Sequence, residues 1–309
     1  MTVRRPPLAA DSVVDLIGNT PLVRLRNVTR DLPDSVQIWA KLEYFNPGGS
    51  VKDRPARQIV LDALERGDIG EGRALIDSTS GNTGVAYAML GSALGFEVNL
   101  VMPSNVSQAR KDIVEAYGAR IIYSDPLEGS DGAILLAKKI VAEDSGRLWY
   151  ADQYSNPSNP LAHERTTAPE IIRDTGGRVT HFVAGLGTTG TCTGTGRALK
   201  RHNPAITICA VEPDAPFHGL EGLKHLGSSI VPHIFDPTVP DRTLPVATED
   251  GWDLADRLAQ EEGIAVGYSS GAALAGALSI ASEIEEGLIV CIFCDHADRY
   301  IPPRKKKTP

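Results

Sequence analysis

The sequence is poor in cysteine, has no excess of basic residues and contains no long apolar run. Each absence removes a class of protein. Four cysteines in 309 residues, Cys192, Cys209, Cys291 and Cys294, are too few and too irregularly spaced for a disulfide framework, which fits a reducing compartment. Cys291 and Cys294 form a C-x-x-C. It falls inside the apolar run Leu288-Ile-Val-Cys-Ile-Phe-Cys294, where alternate residues of a strand face opposite sides, and no second Cys or His pair stands at metal spacing. No metal or redox centre is expected. Lys and Arg number 31 against 39 Asp and Glu, a net charge of −8, which argues against a general affinity for nucleic acid. No stretch approaches the ~20 apolar residues that span a bilayer, and Arg4 and Arg5 have no apolar segment behind them. Neither a membrane span nor a signal peptide is expected, and the cytoplasm is the default compartment. What is present is an ordinary globular mix, 42% hydrophobic and 23% charged, over a length that suits two domains or one large one.

Short β-branched runs alternate with helix-length amphipathic segments from Val36 onward, which implies an α/β fold with mostly parallel sheets and crossover helices. The pattern predicts strands at Val36–Leu42, Ala74–Asp77, Glu97–Met102, Arg120–Ser124, Leu148–Ala151, Thr180–Ala184, Thr207–Val211 and Leu288–Phe293. It predicts helices at Val51–Glu65, Thr83–Leu94, Gln108–Tyr117, Asp131–Glu143, Leu161–Asp174, Thr191–Arg201, Asp250–Glu262 and Ala272–Glu283. The turn-rich segment Gln153–Pro160 marks a domain crossing, so two lobes with a cleft between them are expected. The region Glu212–Ala247 carries six prolines and little periodicity, and reads as a lid or interface loop. The basic tail, 302–309, reads as a solvated end.

Three strand-to-helix turns concentrate Gly, Ser, Thr and Asn. Each leaves unpaired N–H groups at a helix N-terminus, where anions are favoured. In Asn46-Pro-Gly-Gly-Ser-Val-Lys-Asp-Arg-Pro55, Ser50 and Asp53 stand at capping-box spacing and place Lys52 in the first helical turn. A cation there opposes the helix dipole, which favours the neutral, nucleophilic amine; an ordinary surface lysine is the alternative. Ser78-Thr-Ser-Gly-Asn-Thr-Gly84 gathers hydroxyls and the Asn82 carboxamide where a carboxylate could bind, or caps its helix. Gly185-Leu-Gly-Thr-Thr-Gly-Thr191 fits G-x-G-x-x-G, with Glu212 near the spacing of a ribose-binding acid. A nicotinamide-dependent oxidoreductase is therefore a rival reading, although the crowd of threonine hydroxyls suits a single phosphate monoester better. Gly267-Tyr-Ser-Ser-Gly-Ala272 opens a further small-residue helix with Ser269 and Ser270.

In this order, Asn-Pro-Gly-Gly-Ser-Val-Lys-Asp-Arg-Pro, Thr-Ser-Gly-Asn-Thr-Gly, Gly-Leu-Gly-Thr-Thr-Gly-Thr and Tyr-Ser-Ser-Gly-Ala resemble the cysteine synthase and cystathionine β-synthase family of pyridoxal-phosphate enzymes. The resemblance runs from Asp15-Leu-Ile-Gly-Asn-Thr-Pro-Leu22 to Asp298-Arg-Tyr300. It implies two three-layer α/β lobes with the cofactor between them: a smaller mobile domain, 46–156, and a larger one, 1–45 plus 157–301. It implies that Lys52 holds pyridoxal phosphate as a Schiff base and moves the substrate α-proton. By the same resemblance Asn82 meets the ring hydroxyl, Ser269 faces the ring nitrogen, and Gly187, Thr188, Thr189, Gly190 and Thr191 cradle the phosphate. Thr79, Ser80, Gly81, Thr83 and Gln153 are implied to bind the substrate carboxylate. A neutral hydroxyl at the ring nitrogen weakens the electron sink and favours β-replacement over transamination. The implied reaction replaces the β-substituent of O-acetylserine or O-phosphoserine with sulfide to give cysteine. A short cystathionine β-synthase that adds homocysteine is the alternative; a non-catalytic scaffold is opposed by intact Lys52, Asn82 and Ser269. Lys224 lies where the O-phosphoserine users of the family carry a basic residue, as a lysine rather than an arginine. A homodimer is also implied.

Overall fold

The computed structural model describes residues 9–79 and 81–300. Apolar runs form two sheets. β1 (Leu22–Arg24), β2 (Val36–Leu42), β7 (His181–Gly185), β8 (Thr207–Pro213), β9 (Arg242–Val246) and β10 (Gly287–Phe293) make one six-stranded sheet, in the order β1-β2-β10-β7-β8-β9. Only β1 is antiparallel to its neighbour. β3 (Ala74–Ser78), β4 (Val98–Pro103), β5 (Arg120–Ser124) and β6 (Leu148–Tyr150) make an all-parallel sheet in the order β5-β4-β3-β6. The central strands of both sheets are covered on two faces, which is why Leu288–Phe293 and Ala74–Asp77 read as continuous buried runs rather than alternating ones.

The helices are α1 (Asp53–Arg66), α2 (Asn82–Leu94), α3 (Gln108–Ala116), α4 (Gly129–Glu143), α5 (Ser158–Arg165), α6 (Thr167–Thr175), α7 (Gly190–His202), α8 (Thr248–Arg257) and α9 (Tyr268–Ala281). α2 packs with α1 in the core of the smaller sheet, together with Val14 and Ile17 from the N-terminal segment. α9, nearly all apolar, is buried against the larger sheet beside Ile289 and Cys291. Among the described residues no helix is long and apolar enough to cross a membrane.

Four expectations change. The single helix Leu161–Asp174 is two, α5 and α6, broken at Thr166, whose φ/ψ of −126°/−63° leaves the helical region. The helix over Asp250–Glu262 is α8 followed by one π-helical turn, Leu258–Glu262. β1 went unseen because three residues are too short to show a period. β9 went unseen because Pro240 and Pro245 suppressed a strand reading, yet an edge strand tolerates proline. The Glu212–Ala247 region is thus no free loop: its end is a sheet edge, and only its middle faces the cleft. The basic tail lies outside the described residues.

Candidate active site

The site sits at the carboxyl ends of β3, β7 and β10, where an open parallel sheet has its helix N-termini and its ligand crevices. One cavity is lined by Lys52, Asn82, Gly187, Thr188, Thr189, Thr191, Ser269, Cys294, Asp295 and Tyr300, among others. A second, of about 160 Å³, opens in front of it and shares Lys52, Asn82, Gly187, Thr188 and Tyr300 while adding Thr79, Gly81, Thr83, Gln153, Tyr154 and Lys224. Four segments distant in sequence therefore meet at one point, each at the start of a helix: α1, α2, α7 and α9. A larger cleft of about 670 Å³ lies at the opposite edge of the small sheet, against the amino ends of its strands, and contains none of these residues.

Lys52 stands at the N-cap of α1 rather than inside its first turn. Its carbonyl accepts the first intrahelical bond, from the Ala56 N–H at 3.0 Å. The expected capping box is replaced by two tighter links. Ser50 Oγ accepts from the Lys52 N–H at 3.2 Å, and Asp53 Oδ2 accepts from the Gly48 N–H at 2.5 Å. Burial pushes the Asp53 carboxyl up to about 7, against the pull of the Gly48 N–H. Gly49 is required twice over, since its φ is +79° and a Cβ there would strike the Arg299 guanidinium.

The α7 turn has the donors that a compact anion needs. Thr189, a β-branched residue, is held at φ +70°, a conformation that is costly and persists where the surroundings enforce it. Its Oγ1 is buried with no partner, as is the Thr193 Oγ1 one turn on. Unsatisfied buried donors beside the free N–H groups of a helix start make a binding site for a phosphate-like group. Gly190 cannot be larger, because a Cβ would meet the Asn159 carboxamide. Two α5 residues that sequence reasoning passed over stand behind the turn. Asn159 Nδ2 donates to Thr188 Oγ1 at 3.2 Å, and His163 Nε2 lies 3.2 Å from Thr191 Oγ1 while its Nδ1 meets Thr167 Oγ1 at 2.9 Å. The only signal in the sequence was the segment Asn156-Pro-Ser-Asn-Pro160, which reads as a turn.

Burial, and next the charge of Arg54, bring the His163 imidazole down to about 3. Between that value and the ~6.5 of an unfolded histidine, the unfolded chain binds more protons, so this group's share of stability is full above pH 6.5 and drains as pH falls. At pH 5 the cost is on the order of 2 kcal/mol. A His163→Gln protein is expected to lose less melting temperature than the wild type between pH 7 and pH 5; thermal unfolding at the two pH values reads it.

At the α2 turn, Thr83 Oγ1 donates to Gln153 Oε1 at 2.7 Å, and Gln153 Nε2 donates to the Ser78 carbonyl at 2.9 Å. One amide N–H of Gln153 is thereby left for a ligand. Asp77, which burial pushes up to about 7, accepts from the Ser78 and Gln153 N–H groups behind the turn. Ser80 lies outside the described residues. Ser269 is buried in the first turn of α9. Lys224 Nζ lies 3.4 Å from Asp131 Oδ1 and 5.3 Å from the Tyr154 ring centroid. Its side chain is only 11% exposed and reaches across from the Glu212–Ala247 region to the smaller sheet's side of the cleft.

Glu212 does not face a ribose site. Its carboxylate accepts from the Leu226 N–H at 3.2 Å and pins the neighbouring segment. The G-x-G-x-x-G turn instead shares its cavity with Lys52, which removes the basis of the oxidoreductase reading. Cys294 lines the same cavity, and burial pushes its thiol up to about 11. Among the described residues no group of three or more His, Cys, Asp or Glu could hold a metal ion.

Residues 13–295 match the family model described as pyridoxal-phosphate dependent enzyme. A cysteine synthase of Aquifex aeolicus is 53% identical over 298 residues, covering 95% of this chain and 91% of the relative. The crystal structure of an Entamoeba histolytica cysteine synthase superposes with a TM-score of 0.90 at 36% identity, over 99% of this chain and 96% of that one. An O-acetylserine dependent cystathionine β-synthase from Helicobacter pylori gives a TM-score of 0.89 at 34% identity, over 96% of this chain and 98% of the other.

Proposed function

The chain belongs to the pyridoxal-phosphate-dependent enzyme family, and from that premise we propose that it is a cysteine synthase that replaces the β-substituent of an O-activated serine with sulfide. The observation that carries this reading is the meeting of Lys52, Asn82, Ser269 and the Thr188–Thr191 turn on one cavity. These residues fit the cofactor: the α7 turn offers a buried unpartnered hydroxyl and a helix start to its phosphate, and Lys52 offers an amine. When bound, pyridoxal phosphate supplies an imine linkage and a conjugated sink for the electrons of the substrate's Cα–H bond.

The chain's own residues do the rest. Lys52 Nζ would hold the cofactor and, as a free amine, would take the substrate's α-proton. The α2 turn, with Thr79, Ser80, Gly81 and Thr83, receives the substrate carboxylate at a helix N-terminus, and Gln153 adds its spare amide N–H. Ser269 would offer a neutral hydroxyl to the ring nitrogen, and Asn82 a carboxamide to the ring oxygen. The Lys224–Asp131 contact spans the cleft beside the substrate cavity and limits water there. The lobe comprising residues 46–156, with Val14 and Ile17 packed in its core, then moves as the smaller body against the larger one, in a cytoplasmic homodimer.

The leaving group is read by Lys224. A cation in the substrate cavity can accompany a departing phosphate by exchanging its long contact to Asp131, whereas an acetyl group gains nothing from it. Lys224→Ala is expected to lower kcat/KM for O-phosphoserine about tenfold and to leave O-acetylserine within about twofold. Steady-state assays with sulfide and each donor separate the two; equal losses remove Lys224 from leaving-group recognition. The H. pylori structure favours one second reading, homocysteine as acceptor. Product analysis decides it: cysteine formed from sulfide with no cystathionine from homocysteine supports the first.

A further inference from the structure

Asn82 is the one proposed cofactor ligand whose side chain is already held from both ends by the chain segment that follows β10. Its Nδ2 donates to Asp295 Oδ2 at 2.6 Å, and its Oδ1 accepts from Arg299 Nη1 at 2.5 Å. The chemistry of the partners decides which way the amide points. A guanidinium can only donate, so it must face the carbonyl oxygen; the carboxylate then accepts from the nitrogen. A flipped amide would lose both bonds. One N–H of Nδ2 is spent on Asp295 and the other is left over.

Asp295 is itself fixed. It is 1% exposed, and its Oδ2 also accepts from the Tyr300 hydroxyl at 2.5 Å. Its backbone forms an antiparallel bridge with Ser50, and the neighbouring Cys294 carbonyl accepts from the Val51 N–H at 2.8 Å. Its carbonyl accepts from the Gly267 N–H at 3.2 Å. The Cys294–Asp295 main chain is therefore tied to Val51, next to Lys52, and to Gly267, two positions before Ser269, while the Asp295 side chain bonds Asn82 directly. Arg299 closes the arrangement by donating to the Gly48 carbonyl.

We propose that Asp295 and Arg299 are positioning residues that hold the Asn82 carboxamide in one orientation, with its remaining N–H presented to the cofactor. The proposal rests on the reading of Asn82 as a cofactor ligand. The ties beside Lys52 and Ser269 are main-chain bonds that do not depend on the side chain, so the buried carboxylate's own task is the Asn82 amide. Loss of the Asp295 side chain leaves Lys52 and the α7 turn in place but leaves the amide held at one end only, by Arg299.

The test measures the dissociation constant of pyridoxal phosphate by fluorescence, and the position of the bound cofactor's visible absorption band, in Asn82→Ala, Asp295→Ala, Asp295→Asn, Arg299→Lys and the Asn82→Ala/Asp295→Ala pair. Asn82→Ala and Asp295→Ala are each expected to weaken cofactor binding about tenfold and to shift the band alike. The pair is expected to be no worse than Asn82→Ala alone, because Asp295 acts through Asn82. Asp295→Asn, which keeps an acceptor oxygen for Nδ2, is expected to restore most of the binding, and Arg299→Lys to fall between. If Asn82→Ala changes neither readout, Asn82 is not a ligand and the reading of the site fails. If Asn82→Ala does change them while Asp295→Asn and Arg299→Lys bind and absorb as alanine-level losses, or the pair is additive, the positioning role is overturned and the site stands. Should Asp295→Ala not fold, the Asp295→Asn and Arg299→Lys comparison still decides.

Discussion

Lys52→Ala is expected to abolish turnover and the visible absorption of the lysine-linked cofactor together, while leaving the fold in place. Among the described residues no hydrogen bond or ion pair to Lys52 Nζ is found, and its N-cap role belongs to its backbone carbonyl, so the folded state loses little. Unfolding stability without cofactor should stay within about 1 kcal/mol of the wild type. Activity should fall by about 10³-fold or more, since the same amine serves as covalent anchor and proton carrier. Lys52→Arg separates the two contributions of charge and nucleophile. It keeps a cation at the helix start but cannot form the imine, and it is expected to resemble Lys52→Ala in spectrum and rate. A visible band surviving in either variant, with turnover, would place the anchoring amine elsewhere.

The second large effect is on stability. Arg54, two residues after Lys52, is fully enclosed and grips two carboxylates: its Nε and Nη2 donate to Glu43 at 2.6 and 2.9 Å, and its Nη1 and Nη2 donate to Glu170 at 2.7 and 2.8 Å. Lys41, wholly buried, completes the set at 2.7 Å from Glu170 and 2.7 Å from the Thr20 carbonyl. With Asp174 3.5 Å from Lys41 at the rim, two cations face three carboxylates, and the network joins β2, α1 and α6 beneath the first turn of the lysine-bearing helix. Arg54→Ala strands the buried Glu43 carboxylate and leaves Glu170 to Lys41 alone. It is expected to cost about 3–5 kcal/mol, read as a lowered melting temperature, whereas Arg54→Lys recovers only part because an ammonium cannot engage both pairs of oxygens. The network also shapes the acid limb. Desolvation opposes ionisation of Glu170, but the bonds and charge of Arg54, with Lys41, hold its carboxyl down at about 2. Its contribution is present above the ~4.3 of an unfolded glutamate and is lost as pH falls through about 2, so Glu170→Gln should be least stable relative to the wild type at neutral pH and converge on it in strong acid.

Much of this was legible in one dimension, for a local reason. The strands Val36–Leu42 and Arg120–Ser124 coincide with their sequence-based bounds, and most others agree within one or two residues, because periodicity and helix-start chemistry act over a few neighbouring residues. The turns carrying Lys52, Asn82, Thr188–Thr191 and Ser269 were visible for the same reason. Proline misled at β9, where the sheet needs no donor on its open edge. Pattern misled at Glu212, whose spacing suits a ribose and whose carboxylate in fact holds the Leu226 N–H.

The alternation of strands and helices, the four glycine- and hydroxyl-rich turns and the kind of group each turn could bind are written in the order of residues, since these depend on bonds between residues close in the chain. Tertiary structure alone decided that the turns face one cavity, that Asp295 and Arg299 grasp Asn82 across more than two hundred residues, that His163 and Asn159 back the threonine turn, and that Arg54 is locked between Glu43 and Glu170. Those pairings exist because burial removes water as a competing partner, and which polar groups are buried together is set by how the two sheets pack, a property that no local window of sequence contains.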